Sequence, residues 1–193
     1  HCGLWWCSFT QSDLENLMDE MGGEQKGHYA IVADLTREGS LNHLFEKLKN
    51  NFGAPEIVVN NLGGSLGIQD PFCPIEDWRN IFRFNLEVAI EINNLVIPPM
   101  KERGWGRIVN ISSVASKENQ GPATYCAVKA ALNAYTRSVG RILAPDGIVM
   151  SAVLPGAILT QGGYWEEISK KDPERFKKYV NERMAIGRLG TSE

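Results

Sequence analysis

The stretch Arg107-Ile108-Val109-Asn110-Ile111-Ser112-Ser113, followed by Tyr125-Cys126-Ala127-Val128-Lys129, decides the fold. Its first part is a β-branched run, Ile108-Val109-Asn110-Ile111, continuous rather than alternating and closed by two hydroxyl residues. Continuous runs of this kind predict strands of a parallel sheet covered by helices on both faces. Four more lie at Leu4–Ser8, Tyr29–Ala33, Glu56–Asn60 and Ile148–Leu154. Helical patterns separate them: Asp13–Met21, Leu41–Phe52, one long stretch from about Ile75 to Glu102, and Ala123–Leu143. In the second of these, Leu41, Leu44, Phe45, Leu48 and Phe52 recur at helical spacing and Gly53 ends the run. Strands alternating with such helices imply right-handed βαβ units, hence an α/β fold with a doubly wound parallel sheet. The stretch 161–186 differs: after Gly162-Gly163 a charged amphipathic helix carries Tyr164, Trp165, Phe176 and Tyr179. It reads as an excursion over the sheet and as a substrate lid.

Composition narrows the possibilities. The 193 residues suffice for one domain, residues 1–193, with a sizeable core, and 43% hydrophobic with 22% charged residues is an ordinary globular mixture. A net charge of −3 offers no attraction for nucleic acid or an anionic membrane, so neither is expected as a partner. No apolar run nears the ~20 residues of a membrane span. Cys2, Cys7, Cys73 and Cys126 follow no zinc or redox spacing, and His1, His28 and His43 are the only histidines. Reduced thiols, a cytoplasmic location and no metal are therefore expected, and a Ser-His-Asp hydrolase is a poor fit. The chain begins at His1, which reads as a processed, cloned or incomplete start.

In a doubly wound sheet, ligands bind beyond the carboxyl ends of the strands. Those ends carry Asp34, Asn61-Leu62-Gly63-Gly64, Ser112-Ser113 and Pro155-Gly156, all predicted to face one crevice. Tyr125 and Lys129 stand four apart in the next helix and share a face. A tyrosine with its usual pKa of about 10 is a poor base at neutral pH. A lysine ammonium about 4 Å away would favour phenolate by roughly 4 kcal/mol at an effective dielectric near 20, bringing Tyr125 toward about 7. Ser113 could then hydrogen-bond a substrate oxygen. Proton exchange with that oxygen is half of a carbonyl/alcohol redox step, and the hydride half calls for a nicotinamide cofactor.

Singly, each residue has a duller role. Tyr125 would serve as an interfacial tyrosine, Lys129 as a solvated helix residue, and Asn85 as a buried, satisfied amide. Gly63-Gly64 and Pro155-Gly156 would serve as turns. Trp5 and Trp6 suit core or subunit contacts, and Cys126 suits packing. The shared face with Ser113 upstream favours the chemical reading.

Together, Asn61-Leu62-Gly63-Gly64, Asn85, Ile111-Ser112-Ser113, Tyr125-Cys126-Ala127-Val128-Lys129 and Pro155-Gly156-Ala157-Ile158-Leu159-Thr160 resemble the short-chain dehydrogenase/reductase family, including its 3-oxoacyl-carrier-protein reductases. The resemblance runs from about His28 to Gly190. It implies a Rossmann-like fold, NAD or NADP as cofactor, a small carbonyl or alcohol substrate, and a homodimer or homotetramer. It further implies Tyr125 as proton donor or acceptor, Ser113 as holder of the substrate oxygen, and Lys129 as the residue that binds the nicotinamide ribose and lowers the tyrosine pKa. Asn85 would anchor a water linking Lys129 to solvent. Asp34 and Leu35 would meet the adenine, and Asn61, Leu62 and Gly63 its ribose. Pro155, Gly156, Ile158 and Thr160 would contact the nicotinamide and its phosphate side.

Three departures stand out. The family's glycine-rich turn, T-G-x-x-x-G-x-G, occurs nowhere among the 19 glycines, and the first strand before it is also absent, leaving Leu4–Ser8 with an unpaired edge. Ser8-Phe9-Thr10 fills the place where a charged residue selects NAD or NADP. Gly187-Arg188-Leu189-Gly190 resembles the point after which the family adds a helix and a strand. The chain is thus expected to be truncated at both ends. The alternative is a non-catalytic, dehydrogenase-like binding or scaffold protein that has lost its phosphate loop.

Overall fold

The β-branched runs form strands in the computed structural model, which describes residues 5–8, 11–118 and 121–191. The strands are β1 (Trp5–Ser8), β2 (Tyr29–Val32), β3 (Ile57–Asn60), β4 (Gly106–Ile111), β5 (Ile148–Val153), β6 (Ile158–Leu159) and β7 (Gly190–Thr191). Every pairing is parallel: β1 with β2, β4 between β3 and β5, and β6 with β7. Among the described residues, no strand pairs with the second edge of β1 or of β3. The α/β architecture with a parallel, Rossmann-like sheet is as expected.

Helices α1 (Gln11–Met21), α2 (Ser40–Phe52) and α6 (Ala123–Leu143) fall within two residues of the predicted bounds. Two stretches differ. The predicted helix near 75–102 is α3 (Ile75–Phe82) and α4 (Val88–Arg103), joined by a π-turn over Arg83–Glu87. The predicted single helix after Gly163 is two, α7 (Tyr164–Lys171) and α8 (Pro173–Arg183). Pro173 has no N–H and displaces Asp172 from helical geometry (φ −145°), and the Asp172 carboxylate caps the new helix by accepting the Arg175 N–H. The short helix α5 (Ala115–Glu118) and the β6–β7 pair give no periodic signal and were not expected.

Helices α4 and α6 pack on the face of β3–β4–β5 that carries Ile108, Ile148 and Met150, with Val96, Met100 and Leu143 completing the core. Full burial of each such side chain stabilises by about 1.5–3 kcal/mol. On the opposite face Ile57, Val59, Val149 and Val153 remain exposed, so the cover predicted for both faces is met on one. A second cluster joins Leu35, Leu41 and Val88, with Leu62 against it.

A buried amide chain fixes β3 and β4 to both helices just below the strand ends. Asn60 Nδ2 donates to Asn93 Oδ1 (3.0 Å) and Asn110 Oδ1 (2.8 Å), and Asn110 Nδ2 donates to Thr136 Oγ1 (2.9 Å). Asn93 Nδ2 donates to the Tyr135 hydroxyl (3.1 Å). Buried amides are tolerated when paired in this way, and such a network specifies one register.

Candidate active site

Pro122 precedes α6 with φ −57°, so the helix begins at Ala123 and places Tyr125 in its first turn, with Lys129 one turn on. Lys129 is 3% exposed, and its ammonium donates to the Ile111 carbonyl at the end of β4 (2.9 Å). The Ser112 hydroxyl donates to the Lys129 carbonyl (3.2 Å), tying strand end and helix together. Burial lowers the Lys129 pKa from 10.5 to about 8.

Ser113 lies between strand and α5. Its hydroxyl oxygen accepts the Ala115 N–H (3.1 Å), and its hydroxyl also bonds the Tyr125 side chain. Tyr125 is half-buried, and burial raises its pKa above 10 despite the opposing Ser113 hydrogen bond. This corrects the expectation of a tyrosine brought toward 7. The Lys129 ammonium sits over the Tyr125 ring, 5.6 Å from its centroid, and is engaged by the Ile111 carbonyl. Desolvation of the phenolate is the largest influence on Tyr125, and the Ser113 hydrogen bond offsets only part of it.

Asn85 stands in the π-turn rather than in a regular helix and is 1% exposed. Its Oδ1 accepts the Gly64 N–H (2.9 Å), while Nδ2 donates to the carbonyls of Gly64 (2.9 Å) and Ile81 (3.0 Å). It thereby fixes the loop after β3 against the helix. Gly63 fits between Asn85 and Lys129: a Cβ there would come 2.7 Å from both Asn85 Oδ1 and Lys129 Nζ. Only glycine allows this approach without displacement.

A cavity of about 220 Å³ opens at these strand ends. Of the predicted residues it brings together Asn61, Gly63, Ser113, Tyr125, Lys129, Pro155 and Gly156. The Pro155 carbonyl accepts the Val114 N–H (3.1 Å), which sets that rim beside Ser113. The others lie outside the cavity lining. Asn85 is behind it, and Leu35 and Leu62 belong to the apolar cluster beneath the neighbouring loops. Asp34 is exposed past β2, its carboxylate accepting the Thr36 N–H (2.9 Å) and hydroxyl (2.6 Å), bonds that hold its pKa below 3.8. Ile158 is in β6, and Thr160 is exposed, with its carbonyl accepting the Gly163 N–H. In α7 and α8, Trp165 stacks on Tyr179 with ring centroids 4.0 Å apart. Phe9, Thr10 and the side chains of Trp5, Trp6 and Ser8 lie outside the described residues.

Sequence reasoning missed the Ile111 carbonyl as the acceptor for Lys129, the amide chain, and Arg83 in the π-turn. Asn60, Asn93 and Asn110, polar residues inside apolar patterns, were the available signal. Among the described residues, no helix is long and apolar enough to cross a membrane.

Known proteins resemble this chain in sequence and in fold. Residues 2–170 match the family described as short chain dehydrogenase. The 3-oxoacyl-acyl-carrier-protein reductase of Haemophilus influenzae is 29% identical over 185 residues, which are 95% of this chain and 73% of that one. The D-beta-hydroxybutyrate dehydrogenase of Rhizobium meliloti is 31% identical over 77% of this chain and 58% of its own length. The crystal structure of a Burkholderia cenocepacia gluconate 5-dehydrogenase, in complex with NADP and tartrate, superposes with a TM-score of 0.81 at 24% identity, covering 97% of this chain and 72% of that one. With a family match over most of its residues, this chain belongs to the short chain dehydrogenases.

Proposed function

We propose that the site interconverts a carbonyl and a secondary alcohol, with NAD or NADP as the hydride carrier. The observation that carries this reading is the convergence of Ser113, Tyr125 and Lys129 on one cavity at the strand ends, with Asn85 locked behind it. A dinucleotide fits these residues. Gly63 and Lys129 both line the cavity, Gly63 lets the Asn85 amide and the Lys129 ammonium pack close against its loop, and Lys129 carries three N–H donors, of which the Ile111 carbonyl takes one. Lys129 and Tyr125 would hold the nicotinamide ribose, Asn61, Leu62 and Gly63 the adenosine ribose, and Asp34 and Leu35 the adenine. Pro155, Gly156, Ile158 and Thr160 would hold the nicotinamide end. The cofactor supplies the hydride that no side chain can.

The chain's own groups manage the proton. The Ser113 oxygen accepts from Ala115 and its hydroxyl bonds Tyr125, so a substrate oxygen placed between the two would take over that bond and be oriented by it. Burial keeps Tyr125 protonated at neutral pH, which suits it to donate to the carbonyl oxygen in reduction. The phenolate left behind is stabilised by the Lys129 ammonium over its ring and recovers a proton from solvent. One hydride at carbon and one proton at oxygen balance the reduction; oxidation of the alcohol reverses both.

The aromatic face of residues 161–186 would close over the substrate. Two relatives are named for oxidation or reduction at the β-carbon of an acyl chain, so a 3-oxoacyl thioester is the first substrate to test, with sugars and polyols next. The test follows nicotinamide absorbance with NADH or NADPH against such a panel. Oxidation of the cofactor with at least one carbonyl compound is expected. No oxidation with any compound and no dinucleotide binding would refute the reading and favour a non-catalytic protein.

A further inference from the structure

Arg83 opens the π-turn two residues before Asn85, and its side chain is only 22% exposed. Its Nε donates to the Thr36 carbonyl (3.0 Å), while Nη1 and Nη2 both engage the Glu91 carboxylate, Nη2 at 3.1 Å. Glu87 lies 3.8 Å away on the next turn. One planar guanidinium thus satisfies a backbone carbonyl and a carboxylate at once, a geometry that lysine cannot copy.

The residue it grips is informative. Thr36 holds the Asp34 carboxylate through its N–H and hydroxyl, and the Arg37 N–H closes the same turn on the Asp34 carbonyl (3.3 Å). Arg83 therefore anchors the turn after β2. Two residues along, Asn85 anchors Gly64 in the loop after β3. The π-turn is clamped to two loops that follow strands of two different sheet segments, one by each residue.

We propose that Arg83 is a positioning residue that fixes the Asp34 turn relative to the Gly63–Gly64 rim and so controls recognition of the adenosine half of a dinucleotide. This rests on the nicotinamide dinucleotide reading above. Arg83 stands behind the turn and acts through Asp34 and Thr36. Its loss leaves Ser113, Tyr125 and Lys129 in place, so the effect falls on dinucleotide affinity rather than on the chemical step.

Two variants, Arg83→Met and Arg83→Lys, test this with NADH, NADPH and reduced nicotinamide mononucleotide, which lacks the adenosine half. In Arg83→Met, dinucleotide binding read by fluorescence weakens on the order of tenfold, the loss expected for a charge-assisted bond. Use of the mononucleotide and kcat at saturating dinucleotide stay unchanged, and Arg83→Lys recovers part of the affinity. Without any nucleotide, amide exchange across 34–37 quickens in Arg83→Met while the Gly64 amide keeps its protection. Unchanged dinucleotide affinity, or equal losses for both kinds of nucleotide, would overturn the proposal. A parent protein that binds no nucleotide would refute the dinucleotide reading instead, and the exchange measurement would still report on the clamp.

Discussion

Gly63→Ala tests the packing at the heart of the site. The added methyl carbon would fall 2.7 Å from Asn85 Oδ1 and 2.7 Å from Lys129 Nζ, well inside van der Waals contact. Neither neighbour yields freely: Asn85 is bound to Gly64 on both its amide groups, and Lys129 is buried against the Ile111 carbonyl. Overpacking costs about 1–3 kcal/mol, and a lost hydrogen bond at a buried amide about 1–3 kcal/mol. The backbone adds no strain, since Gly63 lies outside the left-handed region, and alanine recovers about 0.4–1 kcal/mol of unfolded-state entropy. The net loss is about 1–6 kcal/mol, and each kcal/mol lowers Tm by about 2–4 °C for a chain of this length. Gly156→Ala is the control, because a Cβ there meets nothing within 4 Å. Thermal denaturation followed by circular dichroism compares the two. A Gly63→Ala protein that melts with the parent and with Gly156→Ala would refute the described packing of Asn85 and Lys129 around Gly63.

Lys129 gives a pH signature. Its pKa is about 8 folded and 10.5 ordinarily, so the unfolded chain binds more protons between those values and this group's contribution to stability rises with pH there. In urea denaturation, Lys129→Met should therefore gain most over the parent at about pH 7 and lose that advantage toward about pH 10; a gap independent of pH would contradict the burial. Asn110→Ala breaks the bonds to Asn60 and Thr136 and should lower stability by about 2–4 kcal/mol in the same assay. Trp165→Ala removes the ring stacked on Tyr179 and should raise KM for substrate while dinucleotide affinity is unchanged, which steady-state kinetics and fluorescence titration separate.

Strand positions and the main helices were legible because continuous β-branched runs and helical spacing respond to burial, which the amino-acid pattern records directly. The cluster at the strand ends was legible for a related reason: in parallel βαβ units the carboxyl ends of neighbouring strands share one edge, so Asn61, Ser113 and Pro155 had to meet. What escaped depends on backbone detail. The π-turn at Arg83–Glu87 leaves no periodic trace, because one added residue shifts the phase without changing the apolar content. The break before Pro173 was legible in principle and was overridden by the amphipathic pattern on either side. The tyrosine pKa was misjudged because spacing shows that Tyr125 and Lys129 share a face but not where the ammonium points, and a backbone carbonyl at Ile111 competes for it.

The central claim is that Tyr125 passes the proton to and from the substrate oxygen in a reaction whose hydride travels on a nicotinamide dinucleotide. Turnover and dinucleotide binding measured side by side for the parent and Tyr125→Phe test it most directly. Phenylalanine keeps the ring beneath the Lys129 ammonium and removes only the hydroxyl. The account predicts a loss of turnover of about 10²–10⁴-fold with dinucleotide affinity little changed. Turnover at the parental rate in Tyr125→Phe would contradict it.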